Sequence, residues 1–214
     1  MKKLIPVLLF ITIAPIAQGY EKKLDTEILS NSEEEIYVEG IYDQSKKINE
    51  VPTAISILSS SQYTNISPTH LSEALNGISG VNIHRGSGQE HLTSIRSPVL
   101  TGGSGAGSFL YLEDGVPLRA AGFSNVNGLF EASAEFSNQI EVLKGPGPVQ
   151  YGSNAVHGLI NFQNKKINDD KIIFIMSEDG YKSAIASTSA LPVNVSVSIS
   201  HDNGFRENSG FDQQ

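Results

Sequence analysis

The 214-residue chain contains no cysteine, no tryptophan and only two methionines. The missing cysteines exclude a disulfide scaffold, a cysteine-based zinc site and a thiol nucleophile. Without tryptophan and with little methionine, there is little of the soft aromatic surface that anchors sticky interfaces. Positive charge is scarce as well: 15 Lys and Arg stand against 23 Asp and Glu, a formal net charge of −8. That balance argues against nucleic acid, whose phosphates demand a basic face. No apolar run reaches the roughly 20 residues of a helical membrane span. A helical bundle is disfavoured too, because 20 glycines and 9 prolines punctuate the chain. What is present, 39% hydrophobic and 18% charged residues, suffices for a packed core of strands and turns.

Residues 1–19 read as an export signal. Lys2 and Lys3 supply the basic end, the stretch 4–17 is apolar apart from Thr12 and two prolines, and Ala17-Gln18-Gly19 places small residues for cleavage before Tyr20. Cleavage after Ala17 is the alternative. Residues 20–34 are polar, charged and without a period, which suits a mobile arm. Ile36-Tyr37-Val38 follows as an island of β-formers between Glu33-Glu34-Glu35 and Glu39-Gly40. It is either the first strand of the domain or a strand kept available for another protein's sheet edge.

From Val51 onward, short elements alternate with clear punctuation. Ala54–Leu58 alternates as a strand, and Ser67-Pro68 reads as a helix start, with Leu71, Ala74, Leu75 and Ile78 on one helical face. Val81–Ile83, Leu92–Arg96, Ile140–Leu143 and Leu159–Phe162 read as strands. Phe109–Leu112 and Val116–Leu118 flank Glu113-Asp114-Gly115, a strong hairpin signal. These elements predict a mixed α+β domain with small strands and long glycine-bearing loops. Beyond Lys166, Val193, Val195, Val197 and Ile199 alternate with Asn194, Ser196, Ser198 and Ser200, and Ala184, Ala186, Thr188 and Ala190 alternate more weakly with serines. Such runs fit outer-membrane barrel strands, lipid on one side and water on the other, and equally a half-buried strand of a soluble sandwich.

Catalytic patterns are missing. The glycine-rich loop 102–107 lacks the Lys-Ser or Lys-Thr of a phosphate loop and the spacing of a dinucleotide fingerprint. Around Ser104 the nucleophile elbow fails, because position 106 is alanine. The five histidines, His70, His84, His91, His157 and His201, make no zinc motif, although His84 and His91 can approach across a turn. Glu113-Asp114 is explained by its turn. The expectation is a non-enzyme with no catalytic residues, no metal site and no cofactor.

At Lys144-Gly-Pro-Gly-Pro-Val-Gln-Tyr-Gly-Ser-Asn-Ala-Val-His-Gly-Leu-Ile-Asn-Phe162 the chain resembles the signature that closes the plug domain of TonB-dependent outer-membrane receptors. Other pieces arrive in that family's order. Leu71–Leu75 followed by Gly80-Val81 resembles the plug's helix and next strand; Ser94-Ile95-Arg96 resembles its Ile-Arg-Gly element, with Ser97 at the usual glycine; Tyr111–Pro117 resembles its hairpin. The resemblance covers roughly residues 34–166. It implies a signal peptide (1–19), a flexible arm carrying a TonB box (20–40), a plug with a small mixed sheet and short helices (41–166), and the antiparallel opening strands of an incomplete outer-membrane β-barrel (167–214).

The same resemblance implies roles. Glu35, Ile36, Tyr37, Val38 and Glu39 match the TonB box, which pairs as a strand with TonB and so couples the receptor to the inner-membrane energising complex. Arg96 and Lys144 match basic plug residues that pair with barrel glutamates, although lysine at 144 loses bidentate geometry. Arg85, Gln89, His91, Arg119 and Phe123 fall in loops that resemble the outward-facing plug apices, where Arg85 would meet an anionic metal chelate. The implied function is energy-coupled uptake of a ferric siderophore or similar chelate, sometimes cobalamin, across a Gram-negative outer membrane. Residues 167–214 leave room for two or three barrel strands of the 22 that the family uses, so the chain reads as a fragment. The alternatives are a stand-alone exported plug acting in the periplasm and, less well supported, a secreted hydrolase.

Overall fold

The computed structural model describes residues 36–41, 45–98, 109–119, 128–164, 170–189, 195–204 and 206–213. The export signal, the arm with Glu35, the glycine-rich loop 102–107 and Phe123 lie outside the described residues. The described residues fall in one unit, Glu35–Gln214.

The chain enters through a minimal hairpin of β1 (Tyr37–Val38) and β2 (Lys46–Lys47), and Ile48 N donates to Ile36 O at 2.9 Å. There follow β3 (Ile55–Ser59), the helices α1 (Ser60–Ile66) and α2 (Leu71–Leu75), the hairpin β4 (Val81–Arg85) and β5 (His91–Ile95), and the strands β6 (Phe109–Glu113), β7 (Val116–Pro117), β8 (Ser137–Lys144) and β9 (Gly158–Asn164). Strands β3, β8, β9, β6 and β7 line up in that order as one sheet. All neighbours run antiparallel except β6 and β9, which are parallel.

Both faces of this sheet are covered, which is why its strands are more continuously apolar than a half-exposed strand would be. Strict side-chain alternation sends Phe109, Tyr111, Ile140, Val142, Ile160 and Phe162 to one face, where they meet Leu58, Ala74, Leu75 and the β4–β5 hairpin. Leu110, Leu112, Leu143 and Leu159 go to the other face, where Val38, Ile41, Val51 and Ala155 close over them. Val38 and Ile41 are fully buried. A domain boundary at residue 40 therefore falls inside a core.

The turn at Asp114-Gly115 behaves as its sequence implies. Both residues have positive φ, 50° and 78°, as a tight hairpin turn of matching twist requires. The helices differ from expectation. Ser67-Pro68 does not start a helix; Ser67 ends α1 in the left-handed region at φ 47°, because the proline that follows disfavours a helical residue there. Helix α1 itself begins at a reciprocal capping box, Ser59 with Gln62, and α2 starts only after His70, whose ring accepts from Ser72 N at 3.0 Å.

The C-terminal part is a separate antiparallel sheet, β10 (Lys171–Met176), β11 (Lys182–Thr188), β12 (Val195–Asp202) and β13 (Phe211–Gln213) in sequential order. It has four strands, where two or three were expected. Strand β10 escapes a period-2 search because five consecutive residues, Ile172–Met176, are apolar. Register puts Ile172, Phe174, Met176, Ala184, Ala186, Val197 and Ile199 on one face, and Ile173, Ile175, Ser183, Ile185, Ser198 and Ser200 on the other. The fold class is thus α+β: a mixed sheet with short helices, followed by antiparallel strands.

The central strand β9 should be the least replaceable. Ile160→Ala removes a fully buried side chain from the helix-side core and should lower the unfolding free energy by about 2–5 kcal/mol, read from urea denaturation. A change below about 1 kcal/mol would mean that this face is not a packed core.

Candidate functional site

Four polar side chains interrupt the second, ribbon-covered face of the central sheet. Gln139 and Glu141 on β8 lie opposite Gln163 and Asn161 on β9, so they form a two-by-two block of cross-strand neighbours. The continuation of this face is apolar, Leu143 opposite Leu159. Glu141 and Asn161 have no solvent exposure. An unpaired carboxylate here would be strongly unfavourable, so its partners matter.

Those partners are main-chain groups of the N-terminal ribbon. Glu141 Oε1 accepts from Glu39 N at 2.6 Å and from Gly40 N at 3.2 Å. Its Oε2 accepts from Gly40 N at 3.2 Å and Ile41 N at 3.1 Å. Gln139 Nε2 and Asn161 Nδ2 also donate to the carboxylate, at 2.9 and 3.2 Å. The ribbon carbonyls are met as well: Gln139 Nε2 donates to Tyr37 O at 3.2 Å, and Tyr151 Oη donates to Gly40 O and Ile41 O at 3.1 and 3.2 Å. Gly40 fits because it has no side chain; a Cβ there would come within 2.1 Å of Asn161 Nδ2 and 2.2 Å of Gln163 Oε1. The segment, read from sequence as either the first strand of the domain or a strand kept for a partner, is docked in part: Ile36 and Tyr37 are 49% and 36% exposed, whereas Val38 is buried.

A second cluster is basic. Gly80, at φ 84°, sits between Arg96 and Lys144; a Cβ on it would lie 3.2 Å from Arg96 Cγ and 3.8 Å from Lys144 Cδ. Arg96 itself adopts φ 49°, and its N–H donates to Gly80 O at 2.8 Å. Lys144 Nζ donates to Ser56 Oγ at 2.7 Å and Ser79 O at 3.2 Å. Desolvation, and secondarily the charge of Arg96, lower the Lys144 pKa. Among the described residues no carboxylate bridges either cation.

The remaining predicted site residues are engaged inside the fold. Arg85 Nη1 pairs with Glu73 at 3.1 Å, and its Nε donates to Gly88 O. Arg119 makes a two-pronged pair with Glu131, at 2.9 and 2.6 Å, which raises the arginine pKa and lowers that of the glutamate. Gln89 contributes its carbonyl, which meets the rings of His70 and His91 at 3.4 and 3.0 Å. His91 is only 3% exposed, which removes it from any outward-facing contact surface. Nor does it meet His84: that exposed side chain points away, and His91 instead stacks edge-on with His70 at 5.9 Å. His91 Nε2 accepts from Leu129 N at 3.3 Å. The turn and loop beside Arg85 lie near Ser177, Asp179 and Asp202, at one end of the β10–β13 sheet.

The polar block escaped the sequence reading, although a signal was there. Gln139, Glu141, Asn161 and Gln163 hold alternate positions in strands whose intervening residues, Ile140, Val142, Ile160 and Phe162, are all buried. Polar residues at period 2 usually mark a solvent face, and here the chain's own ribbon replaces the solvent.

The family described as TonB-dependent Receptor Plug Domain matches residues 47–159. The vitamin B12 transporter BtuB of Vibrio vulnificus (strain CMCP6) is 28% identical over 167 residues, which cover 76% of this chain and 26% of that protein. Among solved structures, FpvA of P. aeruginosa bound to heterologous pyoverdines superposes with a TM-score of 0.59 at 12% identity, over 78% of this chain and 22% of FpvA. The ferric yersiniabactin uptake receptor FyuA from Yersinia pestis gives 0.51 at 16% identity, over 70% and 24%. The two structural likenesses establish a shared fold. The chain spans about a quarter of the length of these relatives.

The buried histidine pair makes the fold acid-sensitive. Burial, and then the Arg85 charge, push His70 down to about 4, and burial also lowers His91. Their unfolded values stay near 6.5, so the unfolded chain binds more protons below that pH. Stability is therefore complete above about pH 6.5 and is lost as pH falls toward 4. Melting temperature measured from pH 7.5 to 4.5 should drop by several degrees, and His70→Gln should flatten the curve. A pH-independent melting temperature would contradict the burial of the pair.

Proposed function

This chain belongs to the TonB-dependent receptor plug domain family, and from that premise we propose that it is the gating part of an outer-membrane receptor for active uptake. The plug is 41–166, the ribbon around 35–39 is the TonB box, and 167–214 supplies opening strands of the surrounding barrel. The transported molecule is a ferric siderophore or a similar metal chelate, with a cobalamin-like cofactor as the second candidate. The receptors and the transporter among the relatives make a transport role fit better than an enzymatic one.

The sidedness of the β10–β12 sheet carries this reading. Ile172, Phe174 and Met176 are 71–75% exposed, and Val197 and Ile199 just over half exposed. On the opposite face Ile173, Ile175, Ser183, Ile185, Ser198 and Ser200 line a cavity of about 430 Å³ shared with Tyr63, Leu71 and Leu129 of the plug, and Phe174 and Met176 of the edge strand reach its rim. An outer face that is almost wholly apolar and an inner face that mixes serines with isoleucines, turned to the plug, suit a sheet between lipid and a filled lumen. The same face would be poorly suited to water, which disfavours a stand-alone periplasmic module.

The basic pair fits a latch. Two cations held beside one glycine repel each other, and a barrel carboxylate approaching both would relieve that repulsion. Arg85 and Arg119 are the remaining ligand-facing candidates; an anionic chelate would have to compete with Glu73 or Glu131 for their donors.

For the box, the absence of native cysteine makes cross-linking clean. A cysteine placed at Ile36 should form a disulfide with single cysteines at alternate positions along a strand of TonB's periplasmic domain. Adding proline at Tyr37 should abolish it, because proline cannot donate to a ladder. No cross-link at any register would reject the box assignment.

A further inference from the structure

Among the described residues Glu141 is the one carboxylate with no solvent exposure, and its hydrogen bonds go largely to the main chain of a segment about 100 residues earlier. We infer that the Gln139–Glu141–Asn161–Gln163 block is a main-chain-reading cradle, occupied in cis by residues 37–41, and that Glu141 is the latch deciding whether the ribbon is docked or released. This deepens the gating role proposed above and rests on it for its purpose, though not for its contacts.

The chemistry follows from the geometry. Three successive N–H groups, of Glu39, Gly40 and Ile41, converge on two carboxylate oxygens. Only an acceptor with two oxygens and no donor satisfies all of them at once. Charge-assisted bonds of this kind are roughly twice as strong as neutral ones. The cradle reads backbone and not side chains, apart from two requirements: no Cβ at residue 40, where Asn161 and Gln163 fill the space, and an apolar residue at 41, whose side chain joins Leu143 and Leu159. A strand that must be handed to another protein's sheet edge benefits from such a hold, because the cradle grips its main chain. Ile36 and Tyr37 remain partly exposed, whereas the latch acts on 39–41 just beyond them.

Glu141→Gln tests the latch with nearly unchanged volume. The glutamine offers one oxygen and turns an NH₂ group toward N–H groups, donor facing donor. In the purified full chain, hydrogen exchange at the amides of Glu39, Gly40 and Ile41 should accelerate by about tenfold or more, while Val142 and Ile160 in the β8–β9 ladder keep their protection. Glu141→Asp, which keeps the carboxylate on a shorter stem, should retain part of the protection. Gly40→Ala should release the same amides from the ribbon's side with Glu141 in place.

Unchanged exchange at 39–41 in Glu141→Gln or in Gly40→Ala would overturn the latch. So would acceleration spread equally to Val142 and Ile160, which would make Glu141 merely a support of the sheet. The measurement needs neither TonB, nor ligand, nor membrane. A latch without the Ile36 cross-link would therefore count against the box and leave the cradle standing; the cross-link with no change in exchange would do the reverse.

Discussion

A buried carboxylate is tolerable only when nearly all its lone pairs are used, and that condition organises one whole face of this protein. Glu141 meets it with five donors: three ribbon amides and the side-chain amides of Gln139 and Asn161. Without the ribbon, the carboxylate would lie exposed on a sheet face whose neighbours are leucines. Without the carboxylate, three adjacent N–H groups would lose their acceptor, and that of Ile41 lies in a buried position. A group that stays buried without its partner costs on the order of 1–3 kcal/mol. The N-terminal ribbon and the central sheet therefore form a single structural proposition, although the family match begins only at residue 47.

The same constraint explains why the central sheet is covered unequally. Its helix side is an ordinary apolar core, held by Ala74, Leu75 and the β4–β5 hairpin against Ile140, Val142, Ile160 and Phe162. Hydrophobic contact of this kind is non-directional and continuous, and it gives way only with global unfolding. The ribbon side combines a smaller apolar cluster with directional hydrogen bonds concentrated on one residue. Loss of that cover removes Val38 and Ile41 from the cluster but leaves the helix-side core intact. In the gating role proposed above, this division of labour would let the plug stay folded while its N-terminus is pulled.

Much of this architecture was legible in the amino-acid sequence. Period-2 runs marked β3, β4 and β5, short apolar-rich stretches marked β8 and β9, and the Asp-Gly pair marked the turn after β6, because each rule depends on local sequence alone. Helix α1 was missed although Ser59 and Gln62 carry a capping box, since its residues show no apolar stripe and no buried residue supports it. Strand β10 was missed because an unbroken apolar run hides its two faces. The site was less legible for a different reason. Arg85 and Arg119 look like free cations in the sequence, and only folding reveals that Glu73, 12 positions before Arg85, and Glu131, 12 positions after Arg119, reach them. His91 reads as a loop donor until the β4–β5 hairpin turns it inward onto His70. Glu141 depends on a contact 100 residues away, which no local rule encodes.

Concentrating the ribbon's hydrogen bonds on one carboxylate also shapes how it must detach. If its amides bonded to separate acceptors, the strand would fray one residue at a time, each step offset by water. Here Gly40 N straddles both oxygens, so moving it disturbs the acceptors of Glu39 and Ile41 together. Ile41 cannot lift without opening the leucine cluster, and Gly40 cannot slide without meeting Asn161 and Gln163. Partial detachment thus sacrifices most of the contacts while admitting little water to replace them. The latch inferred above therefore favours two states, docked and released, over intermediates between them. That is the behaviour of a switch, and it arises from placing one acidic residue where the alternation of a β-strand would otherwise have placed a leucine.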